Sequence, residues 1–280
     1  MKWFSLPATD TQITHKSRLW LYGLAIVVMI FLIIPTLLVI PMSFSASQYL
    51  EFPPRKWSFK WYETYFNSAA WMQATATSLK AGLLTALLAT PLATMASYGL
   101  HTSRFKNVKW LWMLLLTPMV VPHILIGIGV FYAYVKLKLV NTLLGLVLAH
   151  CMLAIPVVML VVGSALKSYD MDQERVARSL GASPLYAFWS VFFPLALPGM
   201  ATGALIVFIL CLGFYITPAV LGGGKVIMVS SRIANDIEIF FNWGAASALG
   251  VVLLTLTALL IWIFMKLMKI SNPMNQVVKT

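Results

Sequence analysis

Six segments of the chain lack aspartate, glutamate, lysine and arginine, and each exceeds the roughly 20 residues that an α-helix needs to cross a bilayer. They cover residues 19–50, 81–103, 110–135, 139–166, 179–224 and 239–265. The fifth segment could hold two crossings, but Gly181, Pro184 and Pro194 interrupt its first part, and a seventh crossing would separate two basic termini. The pattern therefore predicts six membrane-spanning helices, at about 19–44, 76–101, 110–135, 142–166, 195–217 and 245–268.

Composition narrows the class of protein. Of the 280 residues, 60% are hydrophobic and 10% are charged, whereas a soluble domain carries roughly 25% charged residues. A soluble globular enzyme is excluded for that reason, and a disordered chain is excluded because disorder needs low hydrophobicity. An outer-membrane barrel does not fit, because its strands alternate apolar and polar residues. The chain is predicted to be an all-α integral membrane protein.

The net charge of +12 is assigned to membrane topology rather than to nucleic-acid binding, because the basic residues lie at the ends of apolar runs. Most of the 20 lysines and arginines fall on one side when the N-terminus is placed in the cytoplasm. We therefore expect a multi-pass protein with a cytoplasmic segment 1–18, an uncleaved first span and a cytoplasmic tail 270–280. The aromatic-rich stretch 45–71 would lie on the other side, as an interfacial anchor or as a docking surface for an external partner.

The sequence lacks the residue constellations that carry catalysis. All 8 acidic residues lie outside the predicted spans, and no histidine pair has metal-ligand spacing. Cys151 and Cys211 lie in apolar runs, which favours packing over a disulfide or a metal site. The run of glycines before Lys225 is not a phosphate-binding loop, because Ala219 occupies the first glycine position and Val226 follows the lysine. We expect no enzyme activity, no cofactor and no metal.

The third predicted span is interrupted by Pro118 and Pro122, and His123 follows directly. Irregular backbone at membrane depth is tolerated where it lines a pathway. His123 is therefore either a pathway residue or a histidine that is hydrogen-bonded to a neighbouring helix. His150 has the same alternatives, with packing favoured. Span position adds three further candidate pathway residues, for which a packed-core role is equally open: Phe214, Tyr215 and Thr217.

The segment 167–194, between the fourth and fifth spans, has the pattern of two short helices. Asp170 is a suitable N-cap for the first helix, and Gly181 is a suitable C-terminal stop. Ser183-Pro184 would start the second helix as a cap and a first-turn proline, and Pro194 would end it. Such a helix pair is typical of a docking element for a partner, or of an interfacial anchor.

Residues 173–183, Gln-Glu-Arg-Val-Ala-Arg-Ser-Leu-Gly-Ala-Ser, followed by Val-Phe-Phe-Pro at 191–194, resemble the EAA loop of ABC importer permeases. Gly181 and the segment 191–194 match the family pattern in spacing and character. The resemblance extends over nearly the whole chain, and the chain looks most like the spermidine/putrescine class. Stretches such as 121–124 and 215–223 carry that likeness.

This resemblance implies a type I ABC importer permease fold and a place in the bacterial inner (plasma) membrane. It implies a subunit that moves a small polar solute inward by alternating access, above all a polyamine such as putrescine or spermidine. Two copies of a separate cytoplasmic ATPase would hydrolyse ATP, and a second, different permease subunit and a periplasmic binding protein would complete the importer. The residues implied in coupling to the ATPase are Glu174, Arg175, Ala177, Gly181, Ala182 and Pro194.

The chain departs from the family pattern at two places. Arg175 stands where the motif has glutamate, with Glu174 one place earlier, and the stretch 212–215 lacks the acid pair that many polyamine permeases carry after a phenylalanine. A polycation would then meet aromatic rings, a partner permease could supply the carboxylates, or the substrate could be a less cationic solute such as an amino-acid derivative. An ion-coupled secondary transporter is the remaining alternative, and it would need His123 as a relay.

Overall fold

In the computed structural model, residues 18–167 and 171–270 are described. Within these ranges the chain is helical, with one isolated antiparallel bridge between Ser45 and Trp57 and no sheet. The predicted segment 1–18 (apart from Arg18), the predicted tail (apart from Ile270) and the Asp170 cap lie outside the described residues. The helices are α1 (Leu19–Ser43), α2 (Lys60–Asn67), α3 (Ala69–Thr102), α4 (Val108–Leu116), α5 (His123–Leu137), α6 (Leu143–Lys167), α7 (Met171–Ser179), α8 (Pro184–Ala187), α9 (Phe193–Gly213), α10 (Ile216–Leu221), α11 (Val229–Glu238) and α12 (Trp243–Ile270).

Five of these elements are long and apolar enough to cross a membrane, namely α1, α3, α6, α12 and the continuous stretch from α8 to α9. A sixth crossing consists of α4 and α5, which are bent by 96° at a short break. The break lies between Met119 and His123, next to the two prolines of the third span, because proline lacks a backbone donor and crowds the preceding turn. The predicted interruption of this span is therefore present.

Several helix bounds differ from the predicted ones: α3 begins at Ala69 rather than at about 76, and the fifth crossing is displaced at both ends. The second loop helix does not end at Pro194 but continues through it into α9, so that the fifth crossing begins at Pro184. A π-helical turn at Phe188–Phe192 joins the two helices. Pro194 then lies at the start of α9, directly after the π-helical turn. At its other end α9 stops at Gly213, because the backbone of Phe214 is extended.

The packed core lies between α3, α6 and α9. The face of α3 that is turned to the core carries small side chains, among them the fully buried Ala81, Ala89 and Ala93. Small residues let membrane helices approach closely. On α9, a Cβ atom added to Gly203 would lie 3.2 Å from Val158 Cγ1, so this glycine permits the close approach of α9 and α6.

The two ends of the bundle are named here after one residue each. The Trp61 end comprises α2, α11 and the first turns of α3 and α12, and Trp61, Tyr65 and Trp71 are buried there in a second apolar cluster. These three aromatic residues pack against the bundle, so only part of the stretch 45–71 is available to a membrane interface or to a partner. The Gly181 end comprises α7, α8 and the last turns of α3.

Candidate functional site

The helices α7 and α8 are joined by a tight turn at Gly181. Gly181 has a φ of +96°, a left-handed conformation that suits glycine because it has no Cβ. The N–H of Ala182 donates to the carbonyl of Ala177 at 3.1 Å, and the N–H of Gly181 donates to the carbonyl of Arg178 at 3.1 Å. These two bonds form a Schellman C-cap. The Ser183 side chain then caps α8, so the predicted helix–glycine–helix arrangement is present.

Glu174 faces the bundle and is only 4% exposed. The Tyr98 hydroxyl, near the end of α3, donates to its two carboxylate oxygens at 2.7 and 2.9 Å. The Tyr98 ring in turn packs against Phe188 and Phe192, with ring centroids 5.1 and 4.3 Å apart. One contact cluster therefore holds α7 on α3 and on the start of the fifth crossing.

The remaining side of the same loop is exposed and carries both charged and apolar side chains. Arg175 is exposed and pairs with Asp172 at 2.8 Å within α7. Ala177 and Ala182 are half-buried at the turn, and Pro194 is exposed on α9. The large apolar side chains exposed here are Val176, Leu180, Leu185, Tyr186 and Trp189, which together we call the loop apolar surface. Exposed apolar patches of this kind mark surfaces that bind other molecules.

The break between α9 and α10 brings several candidate pathway residues together. The ring of Phe214 lies 5.0 Å from that of His150 and 6.1 Å from that of His123, between centroids. His150 is fully buried, and neither of its ring nitrogens has a hydrogen-bond partner among the described residues. Thr217 is 4% exposed, which fits the packed-core alternative. We call His123, His150 and Phe214 the Phe214 cluster.

Tyr215, the next residue in the break, contacts α11 instead. Its hydroxyl donates to Oε2 of Glu238 at 3.4 Å. The start of α11 is fixed to the same break, because the Ser230 hydroxyl donates to the carbonyl of Phe214 at 2.6 Å. A carboxylate therefore reaches the break from α11, although the stretch 212–215 contains none.

Sequence reasoning missed Tyr98 and Glu238. A helical period could have placed Ser230, Ala234 and Glu238 on one face of a helix, but no local signal joins that face to Tyr215. The Tyr98–Glu174 contact has no local signal either, because 76 residues separate its partners.

Five continuous apolar helices and a bent sixth pair define a multi-pass membrane protein, which carries an exposed helix–glycine–helix loop. The family model for the binding-protein-dependent transport system inner membrane component matches residues 89–273, and the chain belongs to that family. It is thus an inner-membrane permease component. Its relatives are transport permease subunits.

Two relatives and one solved structure illustrate the likeness. The chain is 32% identical over 148 residues to the spermidine/putrescine transport system permease protein PotB of Haemophilus influenzae, a match that covers 53% of this chain and only about half, 51%, of that protein. It is 29% identical over 259 residues to the putative 2-aminoethylphosphonate transport system permease protein PhnV of Salmonella typhimurium, covering 90% of this chain and 94% of that protein.

The fold is similar to a chain in the crystal structure of a bacterial ABC transporter involved in the import of the acidic polysaccharide alginate. The TM-score is 0.68 at 14% identity, over 90% of this chain and 96% of that chain. This is the type I ABC importer permease fold.

Proposed function

We propose that this chain is one of two transmembrane subunits of an ATP-driven importer, with the Gly181 end and both termini in the cytoplasm. The observation that carries the proposal is the loop apolar surface beside a Schellman-capped glycine turn, in a chain of the permease family. Apolar side chains on a rigid turn would fill a cleft in a soluble ATPase, because their burial is favourable by roughly 25 cal/mol per Å². Glu174 would fix the loop to the bundle, while Arg175 and Gly181 would face the ATPase.

The first experiment is a mild-detergent purification of the tagged chain from its native membrane, with the co-purifying proteins identified and counted. We expect two copies of an ATPase and one different permease subunit. A chain that purifies alone, and that transports without ATP after reconstitution, would contradict the proposal and would point to His123 as a proton relay.

We propose further that the solute is a small organic amine, with putrescine or spermidine first. The solutes in the names of PotB and PhnV, spermidine or putrescine and 2-aminoethylphosphonate, each carry a primary ammonium group. The Phe214 ring of the Phe214 cluster and the neighbouring Tyr215 could contact such a cation through their faces. An amino-acid-like amine fits the same chemistry and is the second candidate.

Uptake into proteoliposomes tests the substrate class. The complex, with its binding protein and internal ATP, should accumulate labelled putrescine or spermidine, or labelled 2-aminoethylphosphonate. Excess unlabelled amine should compete, whereas 1,4-butanediol, which has the length of putrescine without its charges, should not. Competition by the diol at equal concentration, or the absence of amine uptake, would contradict the amine proposal.

A further inference from the structure

A cavity of about 430 Å³ opens where the break after α9 meets α11 and α12. Its walls are mostly apolar, and include Leu212, Ile233, Ile237 and Leu253. Three polar side chains, Tyr215, Ser230 and Glu238, belong to this lining, and the Tyr215 hydroxyl donates to Glu238. An apolar cavity with a few convergent polar groups is the usual form of a small-molecule site.

The two acidic residues of α11 differ in burial and in ion pairing. Asp236 is buried and lies 3.3 Å from the Arg232 guanidinium, so its charge is matched within the protein. Glu238 is exposed, and among residues 18–166 and 172–268 no lysine or arginine lies within ion-pairing distance of it. A carboxylate without a cation at a cavity wall can accept hydrogen bonds from a positively charged ligand.

The surroundings of Glu238 also favour positive charge. Glu238 is the last residue of α11, and the C-terminal end of a helix carries partial negative charge. The Tyr215 ring beside it has a negative face that attracts cations. Both features would attract an ammonium group, as the carboxylate does.

We propose that Glu238 and Tyr215 form a binding site for the ammonium group of the solute, with the apolar cavity wall holding its methylene chain. The proposal rests on the proposed function, since it takes the solute to be an amine. The ammonium group would donate to the Glu238 carboxylate and lie against the Tyr215 ring. Ser230 would position the site, because its bond to Phe214 fixes α11 to the break.

Equilibrium binding of labelled putrescine to the purified permease–ATPase complex, without the binding protein, tests the site. Glu238→Gln should weaken binding by roughly tenfold, because a charge-assisted hydrogen bond is lost. Tyr215→Leu should weaken it by roughly threefold, as expected for the loss of an exposed cation–π contact. Glu63→Gln is the matched control, since Glu63 is also exposed, on α2, and it should bind as the wild type does. Co-purification of the ATPase shows that each variant is assembled.

The outcomes separate this proposal from the proposed function. If the wild type takes up putrescine and Glu238→Gln binds it as the wild type does, the site alone is overturned. If Glu238→Gln does not assemble, unchanged binding in Tyr215→Leu has the same meaning. Uptake without any saturable binding to the complex also overturns the site alone. Absence of amine uptake by the wild-type importer overturns the amine substrate, and the site with it.

Discussion

The Trp61 end and the Gly181 end of this chain are held by different kinds of contact. At the Trp61 end the indole N–H of Trp61 donates to the carbonyl of Ser45 at 2.9 Å, and the hydroxyl of Tyr65 donates to that of Thr75 at 2.9 Å. Both aromatic residues are buried in the cluster around α12. At the Gly181 end, α7 is fixed through Glu174 and Tyr98, while Leu180 next to the turn is 83% exposed.

The difference indicates that this chain itself holds the buried aromatic residues of the Trp61 end, and that the Gly181 turn is shaped for a partner. The polar groups of Trp61 and Tyr65 meet hydrogen-bond partners inside the same chain, whereas Oγ of Ser231 and Oδ2 of Asp236 on α11 have none among the described residues. Large apolar side chains are exposed at both ends, among them Phe66 on α2 and Leu180 beside the turn, and at the Gly181 end they flank a Schellman-capped turn. Substitutions of the buried aromatic residues at the Trp61 end should therefore act on stability, and substitutions at the Gly181 turn on coupled transport.

The largest effect is expected for Gly181→Asp. Any side chain at a φ of +96° is strained by about 1–3 kcal/mol, and the new charge would enter the loop apolar surface. ATP-driven uptake should fall to background, while the amount of the chain in the membrane stays unchanged. Uptake into proteoliposomes and immunoblotting of membranes measure the two quantities.

Gly224→Asp is the matched control. Gly224 is also exposed and has a φ of +78°, with open space around the position of a Cβ, but it lies away from the Gly181 end. This variant carries the same strain and the same charge, so it should keep most of the uptake. Equal loss in both variants would mean that strain, and not position, decides the result.

Tyr98→Phe should have the next largest effect. It removes the hydroxyl that donates to the buried Glu174 carboxylate, and an unsatisfied buried charged group costs about 1–3 kcal/mol or more. The position of α7 against α3 should become less populated. The number of solute molecules moved per ATP should then fall by roughly tenfold. Parallel assays of uptake and phosphate release give this ratio.

Tyr132→Phe serves as the control for this prediction, since Tyr132 is an exposed tyrosine on α5, away from the loop. It should leave the ratio of solute to ATP unchanged. A Tyr98→Phe importer that couples as the wild type does would show that Glu174 does not hold the loop.

These two sites also show how far the sequence could predict the structure. The Gly181 turn is set by local rules of capping, and it was predictable because glycine, serine and proline stand at the required spacing. The broken third span was predictable from its prolines in the same way. The inward orientation of Glu174 was not, since it depends on Tyr98, which is distant in the chain. The family resemblance implied only that Glu174 takes part in coupling to the ATPase.

The same contrast between local signals and contacts of distant residues applies to the candidate pathway residues. His123 could be singled out because prolines precede it, but its proximity to Phe214 and His150 follows from the packing of three separate elements. The continuation of the helix through Pro194 depends on the π-helical turn at Phe188–Phe192, and single-residue propensities do not predict such a turn. The resemblance to importer permeases supplied a role for the loop, and the structure supplied the side chains that hold it.

A smaller effect, on stability alone, is expected for Trp61→Phe. The substitution leaves the Ser45 carbonyl without its indole donor, at a cost of about 1–2 kcal/mol. The thermal midpoint of the detergent-solubilised complex should fall, while uptake per assembled complex stays unchanged. Trp57→Phe is the control, because Trp57 is 65% exposed on the same segment, and its midpoint should stay at the wild-type value. A Trp61→Phe complex with a wild-type thermal midpoint and reduced uptake would contradict the prediction that Trp61 acts on stability and not on transport.

The smallest effect concerns Asp236 on α11, outside the crossing helices. Burial raises the pKa of this carboxyl above its ordinary value, and the Arg232 guanidinium offsets part of that rise. A raised folded-state pKa means that the unfolded chain ionises first, so stability is lost as the pH rises from the ordinary value through the folded one. Asp236→Asn cannot ionise, so its thermal midpoint should rise relative to that of the wild type as the pH rises above the ordinary carboxyl pKa of about 4. Arg232→Lys keeps the positive charge, so its thermal midpoint should depend on pH as that of the wild type does. In Arg232→Gln the midpoint should fall more steeply with rising pH. If the thermal midpoints of the wild type and of Asp236→Asn differ by the same amount at every pH, burial does not perturb the pKa of this carboxyl. Water would then reach Asp236 in spite of the packing at the Trp61 end.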